Sequence, residues 1–250
     1  MFGWFNPTCP VDPAAQAWIE ARLVWLSDRF PQSAFTNRPV ILPTPEFFPD
    51  PYDQTPATAQ HLFDRVCDYM LIPRGAATLD FYDRPKRDHN LWFVNDQGHY
   101  LPNSPAGTFS DSDHGYLVRL CSDQLDSPEN LVGTMAHELS HLRLRQVGVD
   151  HDAYDDELLT DLGVVHSGLG IFLANCPRNW QSTDSTWPDT DLRRPAYMNS
   201  PMYGYALAHL AWTCESGKYR NSGKPRWVGY LNMTARAEYK SGIAYLRKRG

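Results

Sequence analysis

The residues with the clearest chemistry in this 250-residue chain are His137, Glu138 and His141. Histidines four apart lie one above the other on one helix face. Both imidazoles can therefore reach a single ion at about 2.0–2.1 Å, the usual Zn–N distance. Glu138 projects beside them, close to a water that the ion would activate, without being a ligand itself. This is the H-E-x-x-H pattern, in which the glutamate acts as general base. A catalytic zinc takes three protein ligands and keeps one position open, so a third ligand is required. Glu157 stands sixteen residues past His141, which leaves room for a helix end, a turn and the start of another helix. Asp161 follows Glu157 at i+4 on the same face, placed to accept the free ring N–H of a ligand histidine and fix its tautomer. His151 and Asp155 are the alternative third ligands, and the Asp161 partner favours Glu157.

Taken together, His137-Glu138-x-x-His141 and Glu157-x-x-x-Asp161 resemble the gluzincins, the thermolysin-like class of zinc peptidases. The metzincin pattern is excluded, because Leu144 and Val147 stand where its glycine and third histidine belong. The resemblance implies zinc held by His137, His141 and Glu157, with Glu138 as base and Asp161 behind the ligands. It implies that the strand ahead of the motif helix, beginning Tyr116, Leu117 and Val118, is a sheet edge along which a peptide substrate lies. It also implies a downstream residue that stabilises the oxyanion. His209, Tyr203 and Tyr205 are the candidates, with Tyr203 preferred for its place near a helix start. Residues 1–77 have no counterpart in the pattern.

The elements that must position these groups are legible from periodicity and punctuation. Asp12-Pro13 and Thr55-Pro56 are helix starts, each followed by apolar residues at helical spacing. Strands are expected at 40–42, 78–82, 91–95 and 116–121, and the Gly/Ser/Asp/Pro-rich segment 102–115 reads as a loop. Ser127-Pro128 opens the motif helix, which Gly148 ends. A fourth helix is expected to run from the acidic stretch 150–157 to Asn175. A polar loop covers 177–199, and two more helices follow at about 200–213 and 234–249. The acids Asp150, Asp152, Asp155 and Asp156 read as solvated groups at a helix N-terminus, and His166 as a packed helix residue. The whole predicts one α+β domain over 1–250. It is zincin-like, with a small mixed sheet whose antiparallel edge strand packs on the motif helix. The strand-containing half is about 1–125, the helical half about 126–250.

Composition limits the function. Hydrophobic residues at 42% and charged residues at 21% match a globular protein. A net charge of −6 argues against a nucleic-acid binder, and no apolar run is long enough for a membrane span. Five widely spaced cysteines without a CxxC pair, and an N-terminus without a secretory pattern, predict a cytoplasmic protein. Cys67 reads as a buried small hydrophobe. No cysteine lies near the motif, which disfavours a closed structural zinc site. The expected function is zinc-dependent hydrolysis of peptide or other amide bonds. The competing readings are a non-catalytic metal-binding protein with a regulatory role, and a chance motif in a metal-free protein. The aromatics Trp180, Trp187, Tyr197 and Tyr203 are candidates to line a substrate site.

Overall fold

The computed structural model describes residues 7–31, 39–83, 107–112, 115–150, 153–176, 185–213 and 225–249. Helix α1 (Pro13–Arg29) starts where Asp12 accepts the Ala15 N–H at 2.9 Å, with Pro13 at the first helical position. It buries Ala15, Trp18, Ile19, Leu23 and Leu26. Helix α2 (Pro56–Tyr69) opens with a capping box between Thr55 and Thr58 and buries Leu62, Phe63, Val66 and Cys67. Burial pushes the Cys67 thiol up to about 12, so this cysteine packs as an apolar group.

Strands β1 (Ala77–Tyr82), β2 (Gly107–Ser112) and β3 (Gly115–Cys121) form one sheet in the order β1-β3-β2. Strand β3 pairs parallel with β1, from Ala77 opposite Tyr116 to Tyr82 opposite Cys121, and antiparallel with β2. After a 3-10 turn at Ser122–Asp126 come α3 (Pro128–Gln146), α4 (Asp156–His166), α5 (Gly170–Asn175), α6 (Ser200–Thr213) and α7 (Met233–Arg249). Helix α3 is the centre of the molecule: residues 131–144 are all buried, because α2, α4, α5 and the sheet pack around it. No described helix is long and apolar enough to cross a membrane.

This architecture corrects several expectations. The α+β, zincin-like fold is not what forms: the described residues are mostly helical, with helices in both halves. The strand expected at the sheet edge, with Tyr116, Leu117 and Val118, is central and hydrogen-bonded on both sides. Its backbone groups are spent on neighbouring strands, so it cannot receive a peptide by strand addition. Segment 102–115 is not all loop, since it contains β2. Residues 40–42 form no strand; they lie between Pro39 and Pro43, and Ile41 N–H instead bonds the Gly168 carbonyl at 2.9 Å. The single helix expected up to Asn175 is two, broken where Gly168 takes φ +87°, a conformation that suits glycine. Strand 91–95 lies outside the described residues.

Glu20 ties three helices together. Its Oε1 accepts from Tyr205 Oη at 2.6 Å, Gln16 Nε2 at 2.8 Å and Arg249 at 2.6 Å. Burial alone would raise its pKa, but these bonds and the Arg249 charge outweigh it and bring it to about 2. A depressed pKa stabilises the fold above the ordinary carboxylate value, and that stability is lost as pH falls toward 2. Glu20→Gln is expected to cost about 2 kcal/mol at pH 7 after allowance for partial exposure. The difference from wild type should shrink between about pH 5 and pH 2. Thermal denaturation of both proteins across that range checks it; a pH-independent difference would show that the charge of Glu20 is irrelevant.

Candidate metal centre

The centre is built where α3 crosses α4. Ser140, between the two motif histidines, donates from Oγ to the Thr160 carbonyl at 2.9 Å. Gly163, one turn on, leaves room for this contact: a Cβ there would sit 2.5 Å from Ser140 Oγ. Gly163→Ala must therefore turn Ser140 off its acceptor or part the helices. The expected cost is about 1–2 kcal/mol, read by denaturant unfolding. Adding Ser140→Ala should recover part of it, and no recovery would place the strain elsewhere.

With the helices this close, the histidines turn inward. His137 is 1% exposed and His141 7%. Their rings stand 4.9 Å apart and nearly perpendicular. Both present Nε2 to the Glu157 carboxylate of α4: Oε2 is 3.1 Å from His137 and 3.6 Å from His141. One ligand atom from each residue lies within 4.8 Å of the others. Tetrahedral ligands at zinc distance are about 3.3 Å apart, so the three fit one ion with small adjustment. Burial would raise the Glu157 pKa, but hydrogen bonds and charge from His137 and His141 outweigh it and hold the carboxyl well below its usual range. It is anionic at neutral pH, as a ligand must be.

The opposite ring nitrogens face α4. His137 Nδ1 donates to Asp161 Oδ1 at 2.8 Å. Asp161 is fully buried, and its other oxygen accepts the Met198 N–H at 3.0 Å. His141 Nδ1 lies 3.1 Å from Thr160 Oγ1. Glu138 is on α3, 4% exposed. Glu157 has 37% of its side chain exposed, so solvent reaches the centre from its side.

The remaining candidates separate cleanly. Asp155 is no solvated acid and no ligand. It is 2% exposed, and its Oδ2 accepts from Trp18 Nε1 at 2.7 Å and from Arg22 at 2.7 Å. His151 lies outside the described residues, as does Trp180. Tyr203 is a core side chain, 1% exposed. Tyr205 is engaged with Glu20, and the His209 ring packs against Tyr205 at 6.2 Å. The tyrosine beside the centre is Tyr197, half-buried, its ring 5.9 Å from His137. Trp187 lines a cleft of about 530 Å³ with Trp18, Trp25 and Tyr154, which includes none of His137, His141 and Glu157. His166 is packed, with Nε2 3.3 Å from Ser27 Oγ. Desolvation, then the Arg143 charge, lowers its pKa to about 4.

Compared with models of known families, with curated proteins and with solved structures, the chain matches none.

Proposed function

We propose that the protein is a mononuclear zinc hydrolase acting on peptide or other amide bonds, with His137, His141 and Glu157 as ligands and Glu138 as general base. One observation supports this above the others. His137 Nδ1 is paired with Asp161 at 2.8 Å, and its Nε2 faces a Glu157 carboxylate oxygen at 3.1 Å, a contact that either a ring proton or a bound metal ion bridges. A metal ion there would take this Nε2 as a donor, and the second histidine presents Nε2 to the same oxygen. Two imidazoles and a carboxylate are a zinc set with a position left open. The motif-level resemblance to gluzincins points the same way.

When bound, zinc supplies a Lewis acid that polarises a carbonyl and brings the pKa of water to about 7. The chain's own residues do the rest. Glu138 takes the proton of the attacking water and returns it to the leaving amine. Asp161 holds the His137 ring and its tautomer, and Glu157 stays anionic between the histidines. Tyr197, whose ring lies 5.9 Å from His137, is the aromatic proposed to meet a substrate at the centre. The cytoplasm is the proposed compartment, on the strength of the five scattered cysteines. The proposed substrate is a peptide or protein; a net charge of −6 argues against nucleic acid as partner.

The test is incubation of the zinc-loaded protein with a fluorogenic peptide library. Cleavage that a chelator stops and zinc restores is the expected result. Stoichiometric zinc with no cleavage would overturn the hydrolase reading and leave a non-catalytic metal-binding protein.

A further inference from the structure

We propose that Thr160 is the positioning residue for His141, holding the second histidine for the metal as Asp161 holds the first; this rests on the metal reading above. Each histidine offers Nε2 to Glu157 and Nδ1 to α4. An imidazole coordinates through Nε2 only when its proton sits on Nδ1, so each ring needs an acceptor behind it. Two groups stand behind His141: Thr160 Oγ1 at 3.1 Å and Asp156 Oδ2 at 3.7 Å. Hydrogen bonds from N–H to O run to about 3.2 Å, so the hydroxyl is in range and the carboxylate is not.

Thr160 is also the better held of the two. It is fully buried, and its carbonyl is pinned by Ser140 from the helix that carries His141. Its branched side chain has little torsional freedom in a helix. Asp156 lies in the first turn of α4. The histidines are therefore backed unequally, His137 by a carboxylate and His141 by a neutral hydroxyl. A carboxylate partner raises the donor strength of an imidazole, whereas the hydroxyl fixes orientation without adding negative charge to a centre that already holds Glu157, Asp161 and, 3.7 Å from His141, Asp156.

The experiment is a zinc titration of the full chain against a chromophoric chelator. Thr160→Val replaces the hydroxyl with a methyl of the same shape and is expected to weaken zinc binding about 10–100-fold, while Thr160→Ser and Asp156→Asn stay within about threefold of wild type. Should the valine variant not fold, Thr160→Ala removes the same bond with less crowding. Nitrogen-15 NMR of zinc-loaded protein adds a signature: the His141 Nδ1–H resonance should shift in the valine variant and return with serine. Wild-type affinity in Thr160→Val, or a loss that follows Asp156→Asn instead, overturns this role alone. A wild-type chain that binds no zinc overturns the metal reading and this role together.

Discussion

His141→Ala is expected to lose stoichiometric zinc, with affinity falling about a thousandfold, or about 4 kcal/mol. The reasoning follows from burial. His141 is 7% exposed and presents Nε2 to Glu157 and Nδ1 to Thr160. Alanine removes one of the three proposed ligands and supplies no donor in its place. Removing only a hydrogen-bond partner behind a ligand costs 10–100-fold, so removing the ligand costs more. Two readouts are independent. One is metal content by inductively coupled plasma mass spectrometry, after purification without chelator or added metal. The other is thermal stabilisation by zinc: a site that binds only the folded chain adds about 2.7 kcal/mol at a hundredfold excess over Kd. Wild type should show this shift and His141→Ala should not. His166→Ala is the control, since that buried histidine lies on the same helix as Glu157 but bonds Ser27. It should keep its zinc. Full zinc occupancy in His141→Ala would show that the ligands lie elsewhere.

The site was more legible in the sequence than the fold, and the reason is range. His137 with His141, and Glu157 with Asp161, are each one helical turn apart, so helix geometry alone places each pair on one face. Only their meeting across α3 and α4 needed tertiary structure. The central position of 116–121 was invisible, because a strand's apolar residues report burial and not how many neighbours bond its backbone. The segment Gly107–Ser112 lacks the branched, alternating residues of a strand signal; pairing with β3 makes it one. The break at Gly168 had a signal in its Ser-Gly sequence, and the apolar periodicity on either side masked it. The burial of Asp155 has no local signal, because its partners, Trp18 and Arg22, lie 137 and 133 residues away. Thr160 and Tyr197 carry no motif. The roles proposed for them depend on Ser140 and Gly163 bringing two helices together and on Met198, next to Tyr197, being tied to Asp161.

Glu138→Gln is the second large expected effect, and it separates metal binding from turnover. Glutamine fills the same volume, so a residue only 4% exposed is replaced without a cavity. The proposed ligands His137, His141 and Glu157 are untouched. Zinc content and zinc affinity are therefore expected to match wild type within about threefold, because the ligands and their supporting bonds remain. Hydrolysis is expected to fall by about 10²–10⁴, the range for loss of a positioned general base. The loss should sit in kcat, because a general base acts on a proton and not on substrate binding. Each departure has a distinct meaning. Loss of zinc would make Glu138 a support for the ligands. Unchanged hydrolysis would assign the base to another residue. A rise in KM at constant kcat would place Glu138 against the substrate. Full zinc, intact folding and hydrolysis reduced to the stated range would leave proton transfer as the role that accounts for a buried glutamate beside a ligand histidine.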